Sequence, residues 1–123
     1  MKNIIREYLN GLESGDPEQM TRLFSDNAVI HSPLYGDVPA KDFYKILFAD
    51  TNRSEIKLLN IFNSTDKKGL YVVHFRYDWI LRNGIKTSFE CIDIFQFDEQ
   101  GKINELSIIY DTSKTRDGFE GLG

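Results

Sequence analysis

The chain has 123 residues, 41% of them hydrophobic, 13% aromatic and 28% charged, a composition that suits one folded domain and argues against disorder. Fifteen Lys and Arg against nineteen Asp and Glu give a net charge of -4, which disfavours nucleic acid and anionic membranes, since both call for a basic face. A single cysteine excludes an internal disulfide, and with only two histidines beside it no metal centre is expected.

In chain order, Ile4, Ile5, Tyr8, Leu9 and Leu12 recur at helical spacing and predict a helix over residues 2–14, ended by Gly15. Asp16-Pro17-Glu18-Gln19 reads as the start of a second helix, with Asp as cap and Pro in the first turn. Ala28-Val29-Ile30-His31 reads as a short strand and Ser32–Gly36 as a loop, followed by a third helix from about Pro39 to Ala49 with Phe43, Ile46 and Leu47 inward. The remainder alternates like a sheet, with strands over 55–63, 70–82, 85–97 and 103–112. Residues 1–112 are expected to form one domain and 113–123 a flexible tail. No apolar run approaches the ~18 residues that cross a bilayer. MKNIIREYLN meets Arg6 and Glu7 after two isoleucines, too early for a secretory core, so a cytoplasmic setting is expected.

Asn83-Gly84 between two alternating runs predicts a two-residue hairpin. That register sets Arg76 opposite Cys91, Asp78 opposite Phe89 and His74 opposite Asp93. One face then carries His74, Arg76, Asp78, Phe89, Cys91 and Asp93, a polar patch in apolar surroundings and hence a wet pocket. The other carries Val73, Phe75, Tyr77, Trp79, Ile92 and Ile94, apolar enough to predict a homodimer through the outer sheet face.

Two stretches, EYLNGLESGD running into FSDNAVIHSPLYG, and CIDIFQFDEQGKI, resemble the nuclear transport factor 2-like superfamily in its SnoaL-like and ketosteroid isomerase-like branches. The resemblance covers residues 2–112. It implies an α+β fold of the cystatin-like kind: a cone-shaped barrel of three N-terminal helices on a strongly bent, mostly antiparallel sheet. By the same resemblance Tyr8 matches the oxyanion tyrosine and Asp93 the protonated aspartate of ketosteroid isomerase, while Ser32 stands at the general-base position. A serine takes no proton unaided at neutral pH, so the steroid-isomerase mechanism lacks its base. Arg76-Tyr77-Asp78 resembles the Arg-x-Asp pair of limonene epoxide hydrolase, but Ile108 stands where that enzyme's second Asp falls.

Asp93, Tyr8 and His74 are therefore the candidate catalytic residues, with His74 orienting Asp93 or shuttling its proton. Arg76, Asp78, Phe89, Ser32 and Tyr110 are the candidate ligand contacts. Cys91 reads as a packed thiol and His31 as a rim residue. The expected function is a small-molecule pocket, run as a cofactor-independent acid–base isomerase, cyclase or lyase. The alternative is a non-catalytic ligand-binding or dimeric interaction domain.

Overall fold

The computed structural model describes residues 1–120. Its elements are α1 (Lys2–Ser14), α2 (Pro17–Thr21), β1 (Phe24–Ser32), β2 (Gly36–Pro39), α3 (Ala40–Ala49), β3 (Thr51–Asn63), β4 (Leu70–Leu81), β5 (Lys86–Phe97), β6 (Ile103–Ile109) and α4 (Ser113–Glu120). The strands form one curled sheet in the order β2-β1-β6-β5-β4-β3. Only β1 and β6 run parallel; every other neighbouring pair is antiparallel. The expected α+β architecture is thus observed.

Local chemistry explains the helices. Ile5, Tyr8, Leu9 and Leu12 form the buried stripe of α1, and Gly15 ends it in the left-handed region at φ 76°, its N–H bonded to Gly11 O. Asp16 caps α2 by accepting from the N–H groups of Glu18 and Gln19. On α3 the buried stripe is Ala40, Phe43, Tyr44 and Leu47, and Ile46, expected inward, is 43% exposed. These stripes cover the concave face of the sheet and make one core with Ile30, Phe95, Phe97 and Leu106.

The β4–β5 register differs from the expected one by one residue. Leu81 N–H bonds Ile85 O at 2.9 Å and Gly84 N–H bonds Leu81 O at 2.8 Å, so the loop holds three residues, Arg82, Asn83 and Gly84. A two-residue type I′ turn needs φ > 0 at both central residues, but only Gly84, at 88°, has it; no non-glycine among the described residues does. Asn83 instead accepts from Ile85 N–H through its side chain at 3.0 Å. The extra residue slides the ladder, so that Tyr77 pairs Phe89, Phe75 pairs Cys91 and Val73 pairs Asp93.

Side chains alternate across a strand, so this shift exchanges the faces of β4. Val73, Phe75, Tyr77 and Trp79, expected on the outer face, are buried inside. Trp79 donates its indole N–H to Thr51 Oγ1 at 2.8 Å. His74, Arg76 and Asp78, expected in the pocket, lie on the outer face. Of the six residues expected to form a dimer surface, only Ile92 and Ile94 stay outside.

Two further segments depart from expectation. Gly36–Pro39, read as loop and helix start, pairs with β1 as β2. Residues 113–120, read as tail, form α4, whose fully buried Thr115 shares a 3.0 Å hydroxyl contact with Thr87 of β5. The last three residues of the expected tail lie outside the described residues.

Gly84 tests the register assignment. No atom lies within 4 Å of a Cβ built there, so Gly84→Ala meets only backbone strain. It is expected to cost about 1–2 kcal/mol in urea unfolding, and Gly84→Asn less, since Asn tolerates the left-handed region. An unchanged midpoint for Gly84→Ala would exclude the bulged turn.

Candidate functional site

The inward residues of β4 and β5 meet α1, α3, β6 and the β1–β2 loop around a small cavity of about 30 Å³. Its walls are apolar: Leu12, Phe43, Leu47, Phe75, Trp79 and Ile108. Its polar groups are Asp93, Cys91, Ser32 and four tyrosines, Tyr8, Tyr35, Tyr77 and Tyr110. The free volume holds about two water molecules at most. A far larger cleft of about 970 Å³ lies between α2, α3 and the β5–β6 turn, but it is open to solvent and lined by exposed charges such as Lys41, Lys45 and Lys102. The buried polar chemistry is in the smaller cavity.

Asp93 is the centre of that chemistry. It is 1% exposed, between Val73 and Ile108 on the adjacent strands. Cys91, two residues earlier on the same face, donates its thiol to Asp93 Oδ1 at 3.2 Å. Burial pushes the carboxyl up to about 7, against the opposing pull of hydrogen bonds from Cys91 and Tyr8. At neutral pH Asp93 therefore stands near half protonation, able to donate as an acid or accept as a base.

Behind it runs a line of phenols. Tyr44 donates to the Tyr8 hydroxyl at 2.8 Å, and both rings are buried. Tyr8 is held edge-on by Phe95, with ring centroids 5.0 Å apart. Burial first, and the neighbouring acidic groups next, hold Tyr8 well above the usual tyrosine range, so it remains a donor. Burial likewise raises the Cys91 thiol, which makes it a hydrogen-bond donor and not a nucleophile.

The sequence-predicted residues divide sharply. Asp93, Tyr8, Ser32 and Tyr110 line the cavity together. Ser32 Oγ accepts from Leu34 N–H at 3.3 Å and Tyr35 N–H at 3.2 Å, so it builds the β1–β2 turn. Phe89 supports the wall, stacked on Tyr110 at 4.1 Å and edge-on to Tyr77 at 5.3 Å. His74 does not meet Asp93. Its Nε2 contacts Glu90 at 2.6 Å and its Nδ1 contacts Asn60 at 3.2 Å, both on the outer face. Arg76 and Asp78 pair with each other there at 3.3 Å, away from the cavity. His31 sits on the surface between Asp37 at 2.7 Å and Glu105 at 2.8 Å.

Sequence reasoning missed Tyr44 and Tyr77. For Tyr44 a signal existed, because Ala40, Phe43, Tyr44 and Leu47 fall at i, i+3, i+4 and i+7. Tyr77 followed the one-residue register error to the wrong face.

The raised carboxyl sets a pH dependence. A folded-state value of about 7 exceeds the ordinary aspartate value, so the folded protein binds the extra proton between about pH 4 and 7. Stability from this group is therefore full at acid pH and is lost as pH rises through 7. Between pH 5 and 8 wild type is expected to lose about 3 kcal/mol relative to Asp93→Asn, read from urea midpoints at each pH. His31, whose bonds to Asp37 and Glu105 raise it, titrates in both proteins and cancels in the difference. Parallel pH profiles for the two proteins would show that Asp93 is not held protonated.

Comparison with known proteins gives the fold a context. Among curated proteins none matches the chain. Among solved structures, the chain is similar to the epoxide hydrolase/cyclase-like enzyme SalBIII, described for pyran ring formation in the polyether salinomycin, at TM-score 0.78 and 16% identity over 91% of each chain. It is also similar to an NTF2-like protein of unknown function from Exiguobacterium sp. 255-15, at TM-score 0.74 and 15% identity, covering 89% of this chain and 99% of that one. A cystatin-like protein of unknown function from Methylobium petroleophilum PM1 matches at TM-score 0.75 and 17% identity, covering 92% of this chain and 76% of that one. These identities speak for the fold alone. The SnoaL-like domain family matches residues 5–106, most of the chain, and the protein belongs to that family.

Proposed function

We propose that the cavity, widening from its ligand-free volume of about 30 Å³, binds a small, largely apolar molecule through an oxygen atom and that Asp93 acts on it as a general acid, with Tyr8 donating alongside. The observation that carries this reading is the carboxyl itself. Asp93 is buried against Val73 and Ile108 and held near a value of about 7, where a general acid works best at neutral pH. A buried carboxyl costs stability unless fully satisfied, and a hydrophobic residue would fill the same position without that cost.

The reaction class we infer is atom-conserving: an isomerisation or a ring closure in which the attacking group belongs to the substrate. The cavity offers little room for water, and by the resemblance to limonene epoxide hydrolase Ile108 stands in place of that enzyme's second Asp. In a ring closure a substrate hydroxyl forms the new C–O bond, the breaking C–O bond leaves its electron pair on oxygen, and Asp93 protonates that oxygen. The hydroxyl's own proton then restores Asp93. The likeness to a cyclase-like fold agrees with this chemistry. No cofactor is needed, and a cytoplasmic setting, in which Cys91 stays a thiol, belongs to the same proposal.

An epoxypentanol whose terminal hydroxyl can close onto its epoxide tests the reading. Wild type is expected to accelerate ring closure, followed by gas chromatography, with the rate falling above about pH 7. Asp93→Asn is expected to lose at least a hundredfold. Equal rates for the two proteins, over this and related epoxy-alcohols, would remove the general acid.

The tightness of the cavity favours a second reading, a non-catalytic interaction domain. Here the outer sheet face carries the function. Phe62 pairs Val72, Val72 pairs Ile94 and Ile92 pairs Ile109, an apolar patch in which Phe62 is 54% and Ile109 52% exposed. A homodimer through this patch is expected to sediment as a dimer at micromolar concentration, and Ile94→Lys as a monomer with its cavity intact. A wild-type monomer would end the dimer reading.

A further inference from the structure

The Tyr77 hydroxyl is buried and makes no hydrogen bond of acceptable geometry among the described residues. The side chain is 7% exposed and lines the same cavity as Asp93. Ser54 is a hydrogen-bonding neighbour that pulls the phenol down slightly, but it gives its own proton to Leu12 O at 3.3 Å and its approach to Tyr77 falls short of hydrogen-bond geometry. The ring is held on two sides, stacked on Trp79 at 5.9 Å and edge-on to Phe89 at 5.3 Å. A buried donor without an acceptor costs about as much as a lost hydrogen bond, and Phe would pack in its place without that cost. The group is rigidly placed, polar and unspent.

The charge of the cavity adds a second constraint. Among the described residues no Lys, Arg or His lines it, and its one carboxyl is partly neutral near pH 7. An anionic ligand would meet no cation and would face Asp93. A cationic one would have to exchange its hydration for a mostly apolar wall.

We infer that Tyr77 is a second polar anchor, and that the ligand is an uncharged molecule with two oxygens on an apolar frame: one taken by Asp93 and Tyr8, the other by Tyr77. This rests on the proposed binding role of Asp93 and adds the substrate class to it. Tyr77 is a specificity-determining residue, one that selects ligands carrying the second oxygen. It explains a hydroxyl that the fold itself does not use.

Three probes separate the two anchors: cyclohexanone, with one oxygen; hydroxycyclohexanone, tested as each ring isomer, with two; and cyclohexanecarboxylate, with a charge. Binding is read by ligand-observed NMR titration of wild type, Tyr77→Phe and Asp93→Asn. The expected result is that at least one hydroxycyclohexanone binds wild type tenfold or more tightly than cyclohexanone, and that the carboxylate binds weakest. Tyr77→Phe should abolish the tenfold advantage and leave cyclohexanone unchanged, while Asp93→Asn should weaken both ketones. A hydroxyl advantage that is absent from wild type or survives in Tyr77→Phe, while Asp93→Asn still weakens cyclohexanone, overturns the second anchor and leaves the first standing. Ketones that do not bind, or that bind Asp93→Asn equally well, overturn both. One ligand-free measurement stands beside these. The urea midpoint of Tyr77→Phe should be unchanged or raised, because an unspent hydroxyl is removed; a fall would mean that the hydroxyl serves the fold, and would overturn the inference.

Discussion

A single corner of the sheet decides what the interior of this protein is made of. Leu81 and Ile85 close a three-residue loop in which Gly84 alone takes the left-handed backbone. That geometry fixes the parity of every side chain on β4 relative to β5. With it, an aromatic row from Val73 to Trp79 faces Cys91 and Asp93, and the charged row of His74, Arg76 and Asp78 faces outward. With one residue fewer, the same sequence would place a histidine, an arginine and an aspartate in the cavity. The dielectric surroundings of Asp93, and so its ability to hold a proton near pH 7, depend on which row arrives.

The aromatic row also explains why no cation among the described residues compensates the carboxyl. Asp93 is moderated by a thiol at 3.2 Å and by the Tyr8 phenol, groups that lend a hydrogen without lending a charge. Tyr44 stands behind Tyr8 and donates in turn. A neutral network of this kind can follow a change in protonation by reorienting hydroxyls, with no salt bridge to break. It also keeps the thiol of Cys91 protonated, because the same burial that raises the acid raises the thiol further.

Much of this was legible in the residues, and the failures have identifiable physics. The stripe of α1, the Asp16 cap and the α+β order followed from periodicity and turn chemistry, which act over a few residues. Tyr8 and Asp93 line the cavity as expected, because the resemblance fixes their places one at a time, independently of strand pairing. His74, Arg76 and Asp78 were misplaced because their assignment hung on one inferred turn. An Asn-Gly pair suits both a two-residue turn and the bulged three-residue loop. Only the backbone at Asn83 distinguishes them, and no pattern of apolar residues helped, since both faces of this hairpin contain enough of them to pass as a core. Residues 36–39 were hidden for a simpler reason: a short edge strand that ends in proline looks like a loop.

The polar stretch after Thr112 has a part that its composition conceals. Thr115 meets Thr87 within the interior, Arg116 reaches the carbonyl of Pro33 at 3.2 Å, and Gly118 accepts from Asn83 at 3.3 Å, its α-carbon lying close to Leu81 and Ile85. α4 thus works as a clasp, joining the corner of the β4–β5 hairpin to the β1–β2 loop that follows Ser32 and carries Tyr35. A chain cut short at Thr112 would leave the Thr87 hydroxyl bare and uncover apolar surface at the very corner that sets strand parity. Shortening at this end would therefore loosen the register of a hairpin whose turn lies about thirty residues earlier in the chain.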